Sequence, residues 1–480
     1  MSTAEEDIAD FIRPEGTTDL EILLNSWIGA RRWFTGERKN PAAAVTGIFG
    51  IAKQEDAFTA LCSVQSGNTT YLVPLTFRKV SASIPLPADN PPALLGEWVQ
   101  SGEKYAVIDA TEDPQGQIAL LQTCFGETGP ATAHPGEVGN ISAQALRGGT
   151  AELPGIEKIQ PLRSEQSNTS IIYYFPAAPG AEQTTANAPH EAGIILKLFR
   201  IAHCGANPDI ELQQALDKAA PGLVPKQYGA AEIQLPAGTA AIMTAQEFIA
   251  GAKDAWQVFQ AELALPSGKV ADPAEIVALG RLTRDIHLVL AQLFPTAEVD
   301  GIVKENIYST WIDQAQKAVE KAPELEKYRE KIIEIFTAAI QVPWPLRQRM
   351  HGDFHLGQVL NAPGRGWVAL DFEGEPLRSL AERTAPGLAL RDVAGMLRSF
   401  SYAAGAAELA GRPSTATGPW EQEATQLFIQ GYGALTEGEQ ILLRALLLEK
   451  ALYEVVYEAT YRPRWLPIPI RGIQKLLDNP

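Results

Sequence analysis

Two polar loops separated by a short apolar strand constrain this chain more than any other feature of its sequence. The first is HGDFHLGQ at residues 351–358, and the second begins at Asp371, directly after WVAL. Phosphoryl transfer requires a carboxylate to hold the attacking hydroxyl and take its proton, and oxygen ligands to hold Mg²⁺ on the phosphates. The spacing therefore predicts Asp353 as the catalytic carboxylate, with Gln358 and Asp371 as Mg²⁺ ligands, because hard oxygen atoms suit that ion.

Two other interpretations of these loops have to be weighed. Any one of the residues alone is more typical of an Asp-rich turn beside a buried histidine, but the whole set, with the strand before Asp371, makes that interpretation the weaker one. A zinc site built from His351, Asp353 and His355 is also disfavoured, because HGDFH contains a glycine and lacks the HExxH pattern of a zinc-binding helix.

Composition excludes several other classes of protein. The 480 residues are 45% hydrophobic and 20% charged, which is enough to bury large cores in two or three domains. The net charge of −17 and the lack of a Lys/Arg-rich run argue against a nucleic-acid partner. The three cysteines are far apart, the N-terminus has no apolar signal region, and no apolar run approaches a membrane span. We expect a soluble, cytoplasmic monomer or weak oligomer with no membrane partner.

The secondary-structure signals change along the chain. Alternating segments such as FTALCSVQ and TTYLVPLTF predict antiparallel strands early, whereas ELEKYREKIIEIFTAAI and later segments have helical periodicity. This order is typical of a sheet-rich lobe joined to a larger helical lobe. We predict an N-terminal subdomain at 1–90, an intermediate lobe at 91–250 and a helical lobe at 251–480. A long loop at 176–192 separates SIIYYF from IILKLFR, two segments that predict a hairpin.

The two loops also carry a resemblance. HGDFHLGQVL with ALDFEGEP resembles the catalytic and metal loops of aminoglycoside phosphotransferase-like kinases and, more narrowly, of actinobacterial maltokinases. EQSNTSIIYY, NPDIEL, LRDVAGMLRSF and YEVVYEATYRPRWLPIP match the narrower family in order, and SWIGARRWFTGE is similar to its N-terminal cap. The resemblance implies a bilobal, protein-kinase-like α/β fold with a cap. It also implies ATP-dependent, Mg²⁺-dependent phosphorylation of the anomeric hydroxyl of maltose, whose product feeds α-glucan and glycogen synthesis.

The resemblance further implies a set of nucleotide-binding residues. The turn that covers the phosphates consists of Gln166, Ser167, Asn168, Thr169 and Ser170. Lys197 is expected to reach the ATP phosphates and to pair with Glu211, while backbone groups near Glu247 and Phe248 hold adenine. From the residues alone, QSNTS is more typical of an ordinary polar turn. The alternatives for Lys197 and Glu211 are a Lys at a sheet edge and a solvent-facing acid at a helix start.

The acceptor site is expected beside Asp353 in the helical lobe. Asp392 is a helix N-cap, a group that binds sugar hydroxyls, or a group that positions a residue that binds them. Residues 450, 454, 458 and 462 are spaced as a salt-bridge ladder, and three tyrosines alongside are spaced for stacking on a sugar. The candidates for substrate contact are His351, His355, Glu373, Arg391, Asp392, Tyr453, Glu454, Tyr457 and Trp465.

Three hypotheses for function remain open from the sequence. The first is a kinase for maltose, and the second is a kinase for another sugar or an amino sugar such as glucosamine. An amino sugar requires a carboxylate for its ammonium group, which draws attention to Glu373, Glu375 and Glu454. The third is a catalytically silent module that binds nucleotide. The segment ERTAPGLALRD departs from the family pattern close to the expected acceptor site, so it puts the sugar specificity in question.

Overall fold

The computed structural model describes residues 14–53, 56–80, 93–100, 102–126, 141–146, 155–162, 167–176, 192–375 and 378–478. The chain forms two compact units. The first unit consists of residues 1–210 and 226–250, and the second consists of residues 211–225 and 251–480. The change of unit after Ala250 falls where the sequence predicted the helical lobe to begin, but residues 211–225 belong to the second unit as well.

A five-stranded antiparallel sheet follows the first described helix, α1 (Pro14–Trp27), which buries Leu20, Leu24 and Trp27. Its strand order is β1-β2-β3-β5-β4, and its strands are β1 (Ala44–Lys53), β2 (Ala57–Ser66), β3 (Thr69–Lys79), β4 (Leu94–Gln100) and β5 (Glu103–Asp109). Because β4 and β5 complete this sheet, it extends past the predicted subdomain boundary at residue 90. Helix α2 (Pro114–Cys124) follows it, capped by the carboxylate of Asp113.

A second sheet of six antiparallel strands completes the first unit. Its order is β6-β10-β11-β9-β8-β7, and its strands are β6 (Ile141–Ala145), β7 (Lys158–Pro161), β8 (Asn168–Phe175), β9 (Ala192–Phe199), β10 (Gln227–Leu235) and β11 (Gly238–Glu247). As predicted, β8 and β9 pair as antiparallel neighbours. Strand β9 therefore lies inside the sheet, with Lys197 opposite Ser170 on one side and Thr244 on the other.

Helices dominate the second unit. Helix α3 (Pro208–Ala219) enters it from the first unit, and the short strands β12 (Lys253–Asp254), β13 (Val359–Ala362) and β14 (Gly366–Ala369) form a small sheet. The remaining helices are α4 (Ala255–Leu263), α5 (Pro273–Leu293), α6 (Gly301–Lys321), α7 (Arg329–Gln341), α8 (Leu380–Thr384), α9 (Leu390–Leu409), α10 (Ser414–Tyr432), α11 (Glu437–Tyr461) and α12 (Pro467–Asp478). A single apolar core, centred on Phe259, Phe400 and Trp420, joins most of them.

This architecture confirms the predicted α/β fold, in which sheets come first and helices follow. Within the described ranges, no helix is long and apolar enough to span a membrane. All three cysteines are free, with Cys62 and Cys124 buried and Cys204 exposed. Burial raises the pKa of the Cys62 thiol to about 12, so it is a poor nucleophile at neutral pH.

Candidate active site

The loop that carries Asp353 begins with a buried histidine that fixes it to neighbouring residues. The side chain of His351 is buried, and its Nε2 lies 2.7 Å from the carbonyl oxygen of Leu370. Its ring packs between Phe354 and Phe372, with centroid distances of 4.8 and 4.5 Å. His351 was predicted as a substrate residue, but burial and these contacts make it a packing group that ties the two loops together.

A second buried group, Asp392 near the start of α9, holds the backbone of the same loop. Its carboxylate accepts hydrogen bonds from the N–H groups of His351, at 2.8 Å, and Gly352, at 2.9 Å. The Nε2 atom of His287 on α5 lies 3.0 Å from the same carboxylate, and its Nδ1 lies 3.1 Å from the Tyr432 hydroxyl. An ionised carboxylate only accepts hydrogen bonds, so His287 donates from Nε2. Among the roles left open for Asp392, the structure places it as the support of the loop that carries Asp353.

The electrostatics of Asp392 agree with this role. Burial alone would raise its pKa, but the hydrogen bond from His287, the charges of both histidines and the N–H of Gly352 bring the pKa below its ordinary value. The carboxylate is therefore ionised at neutral pH. Sequence inspection missed His287, because a single histidine on an amphipathic helix carries no signal of its distant partner.

The two predicted metal ligands contact each other. Gln358 ends a short 3₁₀ turn before β13, and its side-chain amide donates to Asp371 Oδ2 at 2.8 Å. Asp371 follows β14 and has φ of 61°, a left-handed conformation that no other described residue except glycine adopts. Such strain is held in place by the surroundings and is frequent at functional sites. The amide and the carboxylate supply hard oxygen atoms, so the pair fits a Mg²⁺ ion.

Asp353 faces a pocket in the second unit, formed by its own loop, α9 and α11. Its side chain is 26% exposed, and its carboxylate accepts no hydrogen bond from any residue in the described ranges. The pocket is lined by Gly352, Asp353, Phe354, Glu375, Arg391, Asp392, Ala394, Gly395, Leu446, Glu449 and Lys450. An accessible carboxylate that accepts no hydrogen bond within the described ranges is available to bind an acceptor hydroxyl and remove its proton.

Charged side chains surround this pocket. Glu375 Oε1 lies 2.7 Å from Lys450 Nζ, and its other oxygen lies 2.5 Å from Arg378 Nε and 3.8 Å from Arg391 Nη2. Burial would raise the pKa of Glu375, but Lys450, Arg391 and Arg378 outweigh it and lower the pKa to about 2. Glu375 is thus an anion held by three cations. Of the predicted substrate residues, Arg391 and Asp392 line this pocket.

Other predicted acceptor residues have structural partners. Glu454 is buried, and its Oε2 accepts from Arg398 Nε at 2.9 Å and Nη2 at 2.6 Å. Glu458 is also buried and accepts from Tyr402 and Arg462. The two glutamates of the charged stripe on α11 are therefore buried and paired, although Arg462 itself is exposed. The prediction of Glu454 as a substrate group gives way to a packing role.

The aromatic candidates lie outside the set of residues that line the described pocket. Tyr457 is 37% exposed and packs on Tyr461 with a centroid distance of 5.0 Å. Trp465 stacks on Tyr402, with a distance of 6.1 Å between the ring centroids and an angle of 19° between the ring planes. Tyr453 has its ring 5.5 Å from Lys450 Nζ, so it contacts a lining residue. Stacking on a sugar stays a prediction for these rings.

The two remaining candidates near the loop also have local contacts. His355 Nδ1 accepts from the N–H of Gly357 at 3.0 Å, which orders the turn that leads to Gln358. Burial lowers the pKa of His355 despite the nearby carboxylate of Asp353, so the ring is neutral and can accept this bond. Glu373 is half-buried, and its carbonyl oxygen accepts from Arg383 at 3.2 Å.

In the first unit, the predicted phosphate-covering turn leads into β8. Gln166 lies outside the described residues, Ser167 is exposed and Asn168 begins the strand. Thr169 Oγ1 accepts from Arg200 Nε at 2.8 Å, and Ser170 is buried. Ser170 lies directly opposite Lys197 in the antiparallel pair, so the two side chains share one face of the sheet, and contact with a phosphate stays a prediction for Ser170.

The partner of Lys197 differs from the expected one. Its ammonium donates to Asp209 Oδ2 at 3.0 Å, and the side chain of Asp209 is 1% exposed. Glu211, which was predicted to pair with Lys197, has its Oε2 2.7 Å from Arg349 Nη1. Both acids belong to the NPDIEL segment, so the segment was identified correctly and the residue within it was wrong.

The predicted adenine-binding backbone is used within the sheet. The N–H of Glu247 donates to Lys226 O at 2.8 Å, and the N–H of Phe248 donates to Gly193 O at 2.9 Å. The Phe248 ring packs edge-on against Tyr174. These two N–H groups therefore serve the sheet, and any adenine contact from this segment must come from other backbone atoms.

Comparison with known proteins places this geometry in a family. The chain matches the phosphotransferase enzyme family over residues 187–426, which is half of its length, and the maltokinase N-terminal cap domain over residues 27–113. The cap match extends to the end of the five-stranded sheet and the N-cap of α2.

Two curated relatives are glucosamine kinases. The one from Mycolicibacterium smegmatis is 30% identical over 261 residues, covering 50% of this chain and 63% of that protein. The one from Streptacidiphilus jiangxiensis is 23% identical over 450 residues, covering 87% of this chain and 97% of that protein. This chain thus covers less than two thirds of the first relative and nearly all of the second.

A solved structure shares the fold. A glucosamine kinase in complex with glucosamine, ADP and inorganic phosphate superposes with a TM-score of 0.66 at 17% identity, covering 96% of this chain and 100% of that chain. The family match spans the Lys197 strand, the Asp353 loop and the Asp371 loop, and it confirms the resemblance seen in the sequence. The chain belongs to the phosphotransferase enzyme family, among the aminoglycoside phosphotransferase-like kinases.

Proposed function

We propose that this protein transfers the γ-phosphoryl group of ATP to a hydroxyl of a small sugar, with Asp353 as the catalytic base. One observation carries the proposal. The Asp353 carboxylate is accessible and has no hydrogen-bond donor in the described ranges, on a loop that Asp392 fixes and that ends at the Gln358–Asp371 pair. A structural turn has no need of an open carboxylate and a strained metal ligand together.

Each step of the transfer has a residue to serve it. Asp353 accepts the proton of the acceptor hydroxyl as its oxygen forms a bond to the γ-phosphorus, and the bond to the β–γ bridging oxygen breaks to release ADP. Asp371 and Gln358 would hold Mg²⁺, which neutralises phosphate charge when bound. Lys197, oriented by Asp209, is proposed to neutralise further phosphate charge. Most of the rate would come from positioning and electrostatics.

The first candidate acceptor is maltose, phosphorylated at its anomeric hydroxyl to maltose 1-phosphate for α-glucan and glycogen synthesis. The match to a maltokinase N-terminal cap domain supports it. The second candidate is glucosamine, supported by the kinase activity named for two relatives. A specific observation also favours it: Glu449 lines the pocket and has no hydrogen bond or ion pair within the described part of the chain. An ammonium group on the acceptor would give that carboxylate a partner.

The test is ATP consumption in the presence of Mg²⁺ with maltose, glucose, glucosamine, trehalose and an aminoglycoside. The phosphorylated position is then determined by NMR. Turnover of maltose with phosphate at C1 supports the first candidate, whereas preference for glucosamine that Glu449→Gln reverses supports the second.

Asp353→Asn is the matched variant for this assay, because it keeps the shape of the side chain and removes its basicity. We expect turnover to fall by about 10³-fold with ATP binding retained. Absence of turnover by the wild type on every acceptor would leave the alternative of a silent nucleotide-binding module.

A further inference from the structure

We propose that Lys450 is a second catalytic residue, which binds the same acceptor oxygen that Asp353 deprotonates. This inference rests on the proposed sugar kinase activity. Lys450 lies near the middle of α11, and its spacing in the sequence does not separate it from an ordinary salt-bridge ladder on a helix surface. Its position in the pocket shows a different role.

The distance between the two charged groups carries the argument. Lys450 Nζ lies 3.9 Å from Asp353 Oδ1, which is too long for a hydrogen bond. Two groups at that separation can both bond to one oxygen atom placed about 2.8 Å from each. A hydroxyl suits this position, because it donates its proton to the carboxylate and accepts a hydrogen bond from the ammonium.

The ammonium of Lys450 also has N–H groups that are not used in hydrogen bonds within the described ranges. It lies in a largely buried position, where an unpaired donor costs free energy. Its side chain is only 23% exposed, and one of its three N–H groups donates to Glu375 at 2.7 Å. Within the described ranges it forms no other hydrogen bond. A largely buried ammonium with two unused donors, beside an accessible carboxylate, requires polar partners. An acceptor in the pocket would supply them.

Glu375 fixes where the ammonium points. It is held in turn by Arg378 and Arg391, so Lys450 is attached to a rigid anion rather than to a mobile one. The nearby carboxylates of Glu375 and Asp353 raise the pKa of Lys450 in spite of burial, which keeps it protonated at neutral pH. It can therefore donate throughout the reaction and does not compete with Asp353 for the proton.

In the transfer step, the acceptor oxygen forms its bond to the γ-phosphorus while the bond from that phosphorus to ADP breaks. The hydroxyl proton passes to Asp353, and negative charge builds on the acceptor oxygen as the proton leaves. The hydrogen bond from Lys450 becomes stronger as this charge develops, so it stabilises the transition state more than the bound substrate. Asp353 removes the proton and Lys450 fixes the oxygen.

The experiment compares Lys450→Met with a matched control, Lys475→Met. Both remove an ammonium that pairs with a glutamate in the second unit, but Lys475 lies on α12 and pairs with Glu421, away from the pocket residues. With the acceptor that the wild type uses, we expect kcat of K450M to fall about 100-fold. The KM for the acceptor rises and the KM for ATP changes less than about twofold, whereas the kinetics of K475M match the wild type.

Chemical rescue separates catalysis from structure. We expect ethylammonium or butylammonium to restore part of kcat in Lys450→Ala, with a saturable dependence on amine concentration, and to leave Lys475→Ala unchanged. Lys450→Arg keeps a charge beside Glu375 but presents a planar fork of different reach, so kcat falls at least about tenfold even if the Met variant does not fold.

Several outcomes would overturn the inference. These are kcat of K450M or K450R equal to the wild-type value, lack of rescue by amines in a folded K450A, or a rise in the KM for ATP with an unchanged KM for the acceptor. The last result would assign the ammonium to the phosphate. Wild-type protein that phosphorylates no sugar would instead refute the proposed function itself, so the two failures are distinguishable.

Discussion

Asp392→Asn tests whether one buried carboxylate holds the loop that carries Asp353 in place. The carboxylate accepts hydrogen bonds from His351 N–H, Gly352 N–H and His287 Nε2, at 2.8, 2.9 and 3.0 Å. Asparagine has one acceptor oxygen, so its NH₂ group must face at least one of these donors.

The expected loss in the free energy of unfolding follows from these hydrogen bonds. A hydrogen bond to a charged group contributes about 1.5–3 kcal/mol, and a buried donor left unpaired costs about 1–3 kcal/mol. Losing one bond and weakening the other two gives a loss of about 3–5 kcal/mol in the free energy of unfolding. Because the loop is then free to shift, and a displacement of about 1 Å can cost 100-fold, we expect kcat to fall by about 10² with little change in the KM for ATP.

The assay is urea unfolding together with steady-state kinetics. Asp285→Asn is the control, because Asp285 lies on the same helix as His287, has a side chain that is 45% exposed, and pairs only with its neighbour Arg284 among the described residues. We expect it to change the unfolding free energy by less than about 0.5 kcal/mol. If D392N matches this control in both stability and kcat, the carboxylate does not hold the loop.

Two further predictions concern ion pairs of the second unit. Glu375 has a pKa of about 2, below its ordinary 4.5, so its ionisation stabilises the fold above about pH 4.5 and this contribution is lost as pH falls towards 2. The stability difference between wild type and Glu375→Gln in urea should therefore shrink by about 3 kcal/mol from pH 6 to pH 2, and parallel curves would contradict this. Arg398→Met should cost about 3–5 kcal/mol by leaving Glu454 buried and unpaired, while R398M combined with Glu454→Leu should cost less than the sum of the single changes. Additive costs in this thermal or urea double-mutant cycle would show that the pair is not coupled.

The three candidate residues of the site could be picked out from the sequence because their signal is local. Asp353, Gln358 and Asp371 lie within 19 consecutive residues, so their spacing alone indicates a loop, a strand and a second loop. The strand-then-helix order of the fold was predictable for a similar reason, since periodicities of two and about 3.6 residues can be counted in short windows. The contact between Gln358 and Asp371 then follows from the short β13–β14 hairpin.

Assigning the partner of Lys197 required the tertiary structure. Asp209 and Glu211 are two residues apart at the start of α3, and side chains two apart on a helix point in directions about 200° different. The sequence identified the segment, but only the packing of the helix decides which acid faces the lysine. The same reason explains Glu454, since an i, i+4 stripe of charges does not reveal whether its face of α11 is covered.

The sequence by itself determined the family, the order of the secondary structure and which residues are the candidates for catalysis and metal binding. The tertiary structure decided which groups support and surround them. His287 and Asp392 are 105 residues apart, and Glu375 and Lys450 are 75 apart. Such pairs leave no local pattern, because they form only when the elements that carry them pack around one core. The separation of these residues in the sequence therefore does not predict their contact.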